Sequence, residues 1–230
     1  MMMSEKEKML AGMLYDASDP ELVTLLVKAR RLARRYNQID EDEVEIKEAI
    51  LKELLPNSKN LPGMQAPVYF DYGCNTSFGK FCSTNFNFTC LDVCPVKIGD
   101  NVLFGPNVTL ATPMHPLVPE ERNVRQREDG SYYALEYAKP ITIESNCWIA
   151  ANVIVCGGVT IISVSMRRRF FAGFSMRWLL MYSFSSKRTG SSFSGWKRSP
   201  IIMTSLCSAS PSVLSRKSGQ IGRASCRERV

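Results

Sequence analysis

Apolar residues recur every six positions in two separate runs: Ile98, Phe104 and Leu110, then Ile143, Ile149, Val155 and Ile161. Small residues follow several of them (Gly99, Gly105, Ala111, Ala150, Cys156), and Val102, Val108, Cys147, Val153 or Val159 stands four places after the lead residue. An amphipathic helix repeats near 3.6 residues and a half-buried strand at 2, so neither accounts for this pattern. It fits a β-solenoid in which each hexapeptide makes one short flat side and a turn. The lead side chain then points inward and stacks on its counterpart in the next coil. Between the two runs, residues 111–140 lose the period and carry Pro113, Pro116, Pro119, Arg122, Arg125, Asp129 and Gly130. So long a break inside a solenoid predicts an excursion that is functional or mobile.

The first 55 residues read differently. Ser4 with Glu7 fits a capping box, and Asp19-Pro20 supplies an N-cap followed by a proline at N1. Leu22, Leu25, Leu26, Ala29 and Leu32 then recur at helical spacing, with Arg30, Arg31, Arg34 and Arg35 on the other side. A further helix carries Ile46, Ala49, Ile50 and Leu54 and stops at Pro56. The arginine run reads as a solvated helix face, with a phosphate-binding cluster as the alternative.

Charge divides the 230-residue chain. Residues 1–161 hold 16 Lys and Arg against 21 Asp and Glu, a net of −5; residues 162–230 hold 13 against one, Glu228, a net of +12. The basic pI near 9 therefore reports on the last part alone. That part shows no ordered alternation of aromatic and basic residues, so a nucleic-acid-binding tail is the weaker reading. No run reaches the roughly 18 apolar residues of a membrane span, and Met1–Lys8 is too polar for a signal peptide. A cytoplasmic protein with no membrane or nucleic-acid partner is expected. Only Cys90 and Cys94, of eight cysteines, have metal-like spacing, and no second pair or ligating His completes four ligands. Buried free thiols and no metal site are expected.

Several segments in combination resemble the maltose/galactoside O-acetyltransferases, a family of hexapeptide-repeat acyltransferases: Val68-Tyr69-Phe70-Asp71-Tyr72-Gly73, Asn85-Phe86-Asn87, Ile98-Gly99-Asp100-Asn101-Val102, Pro106-Asn107-Val108-Thr109-Leu110, His115-Pro116 and Pro140-Ile141-Thr142-Ile143. The resemblance covers about residues 4–161. It implies a mainly β fold, a left-handed parallel β-helix with an N-terminal helical segment, assembling as a homotrimer. It divides the chain into a helical acceptor-side segment (1–55), the β-helix (56–161, interrupted by 111–140) and a tail (162–230). It also implies acetyl transfer from acetyl-CoA, as co-substrate, to a sugar hydroxyl.

The resemblance assigns roles residue by residue. A sugar hydroxyl attacks a thioester only if a base takes its proton, and the family's base position is His115, the one histidine of the chain. Asn85, Asp71 and Asp16 match acceptor-binding positions, where amide and carboxylate groups hold hydroxyls. The backbone N–H of Ala151 matches the donor to the developing oxyanion, and Trp148 matches a tryptophan lining the cofactor cleft. Glu136 is a candidate to orient His115. Ordinary alternatives stand beside these: turn residues for Asn85, Asp71 and Asp16, and packing for Trp148. Leu26, Val93 and Ser83 replace an arginine, an acid and a tyrosine of the galactoside enzymes, which favours maltose- or glucose-type acceptors. A xenobiotic or nodulation-factor-like acceptor is the second reading, and the helical N-terminus argues against the xenobiotic branch.

Family likeness ends after Gly158-Val159-Thr160-Ile161. Ile162 stands where a small residue is expected, and Met166-Arg167-Arg168-Arg169 opens a stretch with neither period. Residues 221–230 resemble one reading frame of a short-read sequencing adapter. Residues 162–230 are therefore read as chimeric or out-of-frame, and a chain lacking the later coils is expected to be inactive.

Overall fold

Capping signals act where the sequence puts them. The computed structural model describes residues 3–163. Ser4 accepts from the Glu7 N–H at 3.2 Å while the Glu7 carboxylate accepts from the Ser4 N–H at 2.7 Å, ahead of helix α1 (Glu5–Leu10). Asp19 caps helix α2 (Pro20–Tyr36) through the N–H groups of Glu21 and Leu22, with Pro20 in the first turn. Helix α2 buries Leu22, Ala29, Leu32, Ala33 and Tyr36, and helix α3 (Val44–Leu54) buries Ile50, Leu51 and Leu54. All of these except Leu22, which packs with Met9, Tyr15 and Tyr72, join one core with Val68, Phe70 and Phe78 of the repeat region, so the helices are stabilised by packing on the solenoid.

From Gly63 onward the chain winds as a left-handed parallel β-helix with three flat faces. The first face stacks Thr76–Phe78, Val96–Ile98, Ile141–Ile143 and Thr160–Ile161; the second stacks Gly63–Met64, Ser83–Thr84, Leu103–Phe104 and Trp148–Ile149; the third stacks Val68–Phe70, Phe88–Leu91, Thr109–Ala111 and Ile154–Cys156. Every pairing within them is parallel. Lead residues stack as the period predicts: Ile98 on Ile143 and Ile143 on Ile161, Phe104 on Ile149, Leu110 on Val155. Phe88 sits inside against Phe104, Phe70 and Phe78, at ring distances of 5.1, 6.0 and 6.4 Å. Such pairs add about 0.5–1.5 kcal/mol each beyond burial.

The solenoid starts earlier than the six-residue runs reveal. Phe78, Thr84 and Cys90 fill the same three columns one coil before Ile98, Phe104 and Leu110. Thr84 puts a polar residue in a lead position, and two extra residues after Cys90 lengthen that coil to twenty, which hides the period. Corners are turned by asparagines in the left-handed region, Asn87, Asn101, Asn107, Asn146 and Asn152. Their amides bond up the stack, Asn87 to Asn107 and Asn107 to Asn152 at 3.0 Å, and Asn101 to Asn146 at 3.3 Å. At Gly105 a Cβ would lie 2.6 Å from the Ala151 nitrogen, so the small residue after a lead position leaves room for the next coil.

Two expectations change. The helical segment contains a strand, Tyr15–Asp16, which pairs antiparallel with Leu135–Ala138 of the excursion; Leu135–Ala138 also pairs with Pro113–Met114. No local pattern announces a two-residue strand whose partner lies more than a hundred residues away. Cys82, Cys90, Cys94 and Cys147 are buried thiols, but Cys74 is half-buried and Cys156 is exposed, because strand alternation turns Val155 inward and Cys156 out. Cys207, Cys226 and the tail reading of 162–230 lie outside the described residues, apart from Ile162 and Ser163. No helix among the described residues is long and apolar enough to cross a membrane.

Candidate active site

The excursion leaves the solenoid where the third face turns toward the first, and it carries His115. In the sheet formed by Tyr15–Asp16, Leu135–Ala138 and Pro113–Met114, Met114 is opposite Tyr137 and Tyr15 is opposite Glu136. Continued by one residue, this register sets His115 across from Glu136, with Tyr15 on the other side. The Tyr15 hydroxyl donates to Glu136 at 3.1 Å. His115 is exposed and makes no hydrogen bond among the described residues, so Glu136 is engaged by Tyr15 rather than by the imidazole. Burial, reinforced by the charge of Glu136, pushes the Tyr15 phenol far above its ordinary value. Tyr15 is thus a neutral donor throughout the physiological range.

Asp16 lies at the same corner. Its Oδ1 accepts from the Ser18 N–H and hydroxyl at 2.9 and 2.7 Å, and its Oδ2 is bonded by the Arg127 guanidinium. Arg127 also donates to the hydroxyls of Ser18 and Ser131 and stacks 4.6 Å over the Tyr133 ring. The hairpin of Arg125–Gln126 and Tyr132–Tyr133 is thereby fastened to the N-terminal segment.

Asp71 ends the Val68–Phe70 strand on that side of the solenoid. It is 8% exposed, and its Oδ1 accepts from Arg30 of α2 at 2.7 Å. Asp71 and Glu136 both contribute charge at Tyr15 and Tyr72, whose phenols are raised mainly by burial. Acids and tyrosines from three segments therefore share one neighbourhood. Beside them, Asp92 is fully buried and accepts from the N–H groups of Tyr72 and Gly73 and the Thr76 hydroxyl at 2.8, 3.1 and 2.9 Å. Desolvation pushes it up to about 6 against these bonds. Its donors are all internal, so Asp92 braces the corner that presents Asp71.

The other candidates sit elsewhere on the protomer. Asn85 and Ala151 lie where the second face turns into the third. Asn85 is half-buried, and its Oδ1 accepts from the Phe86 N–H at 2.8 Å, which leaves the amide nitrogen unengaged among the described residues. Ala151 is exposed and its N–H donates to no acceptor among the described residues. Trp148 points out from the flat second face beside Leu103, 64% exposed, so packing in a corner does not explain it. No group of three or more His, Cys, Asp and Glu converges to hold a metal among the described residues.

Known proteins match this architecture. Residues 8–59 fit the maltose acetyltransferase hexapeptide capping motif. The galactoside O-acetyltransferase of Escherichia coli (strain K12) is 36% identical over 161 residues, covering 70% of this chain and 75% of its own. A maltose O-acetyltransferase from Clostridium difficile 630 superposes with a TM-score of 0.61 at 38% identity, over 69% of this chain and 80% of its own. A galactoside acetyltransferase solved with coenzyme A gives 0.59 at 34% identity, over 69% and 75%. The chain belongs to the maltose/galactoside O-acetyltransferase family.

In this acyltransferase the candidate site also includes residues that the sequence alone did not assign to it. Arg30 is exposed like Arg31, Arg34 and Arg35, but it is not simply part of a solvated helix face, because it meets Asp71. Arg127 and Tyr15 give no local signal, since their partners lie 111 and 121 residues away. Asp92 did give one. It is a lone acid inside Cys90-Leu91-Asp92-Val93-Cys94, where a charge is retained only if donors surround it.

Proposed function

We propose that the site moves the acetyl group of acetyl-CoA to a sugar hydroxyl by direct attack, with His115 as general base. His115 takes the hydroxyl proton as oxygen bonds to the thioester carbonyl carbon. The tetrahedral oxyanion is held by the Ala151 N–H, then the C–S bond breaks and the proton passes to the departing sulfur. Asn85, Asp71 and Asp16 hold the acceptor, and Trp148 lines the path of the cofactor. Glu136 orients His115. The carrying observation is the register that sets an unbonded, exposed histidine opposite a carboxylate, among the acids and tyrosines of one corner. Maltose- or glucose-type acceptors fit the replacements at Leu26, Val93 and Ser83 better than galactosides.

Residues 1–55 then serve as the acceptor-side segment and 56–161 as the catalytic solenoid. His115 and Asp71 lie at one corner of the protomer, and Asn85 and Ala151 at the next. This separation favours a homotrimer in which one copy's first corner meets its neighbour's second, in a cytoplasmic enzyme. The chain as written lacks appreciable activity, because the solenoid pattern ends at Ile161 and later coils would extend the cofactor contacts. The test is to assay it with acetyl-CoA and a panel of sugars beside a version carrying family-type coils from 162 onward. His115→Ala in the extended version lowers transfer by about 10²–10⁴-fold with little change in coenzyme A binding. A near-full rate in that variant removes His115 from the chemistry, and equal activity of the two chains makes 162–230 a working substitute for the coils.

A further inference from the structure

A groove of about 390 Å³ runs between α2 and the third face, starting at Asp71. Arg30, Arg34 and Asn37 line one wall, and Tyr69 and Leu91 the other. A second, shallower depression shares Arg30 and Arg34 and continues to Arg31. The groove therefore sets the Asp71 carboxylate and the Arg30 and Arg34 guanidinium groups side by side, with Arg31 next to them in the adjoining depression.

Its polar groups are not interchangeable. Asn37 is spent on the backbone of Val68, accepting from its N–H at 2.8 Å and donating to its carbonyl at 2.9 Å. Arg30 holds Asp71 through one carboxylate oxygen, Oδ1, and Oδ2 accepts no hydrogen bond among the described residues. Arg31 and Arg34 form no ion pair among the described residues. Tyr69 is half exposed on the outward side of its strand, offering a ring face of the kind that sugar rings pack on. A ligand lying in the groove thus meets a carboxylate oxygen free to accept from hydroxyls, an aromatic surface and the unpaired guanidinium of Arg34, with Arg31 in the adjoining depression.

We propose that this groove is a subsite for an acidic glycan: the sugar to be acetylated lies at Asp71, and the unit joined to it carries a carboxylate or phosphate against Arg34 and Arg31. Planar guanidinium groups bind both anions in bidentate fashion, and a neutral unit would leave them without a partner. The inference rests on the reading of Asp71 as an acceptor residue, and it names the class of acceptor.

Equilibrium binding to the full chain tests it without requiring turnover. Maltose, maltobionate and maltose 1-phosphate are titrated by calorimetry, with gluconate and inorganic phosphate as controls. The acidic disaccharides bind about tenfold more tightly than maltose, and the gap narrows in high salt. Arg34→Ala removes the preference and Arg34→Lys keeps part of it; Arg34 is exposed, so neither change disturbs the core. Equal affinity for maltose and maltobionate, no binding of either, or an Arg34→Ala variant that keeps the preference overturns the proposal. Gluconate or phosphate binding as tightly as the acidic disaccharides overturns the glycan subsite in favour of a bare anion site. Binding with this preference but no acetyl transfer in the extended enzyme leaves the groove standing and removes the catalytic reading instead.

Discussion

Arg127 of the excursion is bonded to Asp16 of the N-terminal segment, 111 residues earlier. The guanidinium is held by two serines and one tyrosine ring as well, so it acts as the clasp of the hairpin. Arg127→Ala is expected to leave the thermal midpoint within about 2–4 °C, the shift that about 1 kcal/mol produces in a chain of this size. It loosens the hairpin locally, and limited trypsin digestion cuts faster after Arg122 and Arg125. Unchanged cleavage would show that the strand pairing alone holds the excursion.

Asn85→Ala and Asp71→Ala are expected to raise the sugar KM or lower turnover while acetyl-CoA affinity stays near its original value. Losing one partner of such a hydrogen bond is worth about 1–3 kcal/mol. Titrations of the extended enzyme with each substrate in turn separate the two effects. A fall in cofactor affinity alone contradicts the acceptor roles.

Phe81 occupies a corner that the next two coils turn with asparagine. Its φ of 57° matches Asn101 and Asn146 in the same column, and its ring is 80% exposed. A bulky residue in the left-handed region costs about 1–2 kcal/mol, and little burial offsets it. Phe81→Asn is expected to stabilise the fold by about 1 kcal/mol and to extend the amide ladder toward Asn101. Chemical denaturation of the two proteins checks this; a lower midpoint for the variant assigns the ring a stabilising contact instead.

Asp92→Ala leaves the Tyr72 and Gly73 N–H groups and the Thr76 hydroxyl without their buried acceptor and is expected to cost on the order of 3 kcal/mol, since a buried donor left unsatisfied is worth about 1–3 kcal/mol. Asp92→Asn keeps an acceptor oxygen and costs less. The pair also has a pH signature. Because the folded value is raised to about 6 from the ordinary 3.8, the native state binds the proton more tightly than the unfolded chain. Wild type therefore loses stability relative to Asp92→Asn as pH rises from about 4 through about 6, by up to roughly 3 kcal/mol. Denaturation midpoints of both proteins at pH 4, 5, 6 and 7 measure it. A constant difference means Asp92 titrates normally.

Much of the scaffold was legible because its chemistry is local. Ser4, Glu7 and Asp19 announce helix starts within four residues, and Ile143, Ile149, Val155 and Ile161 announce a solenoid by spacing alone. The coil carrying Phe78, Thr84 and Cys90 was hidden by one polar lead residue and two extra corner residues. The candidate site was legible only through resemblance, since a lone histidine or a turn asparagine has no diagnostic spacing. What stayed out of reach is the set of partnerships across the fold: Arg30 with Asp71, Tyr15 with Glu136 and Arg127 with Asp16 join residues 41, 121 and 111 apart. Such pairs depend on how α2 and the excursion come to rest on the coils, and no local pattern encodes that.

The column of asparagines records how little the solenoid notices its own interruption. Asn87 and Asn107 are 20 residues apart and Asn107 and Asn152 are 45, yet both pairs bond at 3.0 Å. Coil stacking thus treats a turn of a few residues and a folded excursion as the same event. Segments inserted where the third face turns toward the first can be lengthened, shortened or exchanged without resetting the ladder beneath them. The surface such a scaffold presents is free to diverge at one corner while the cross-section beneath it stays constant.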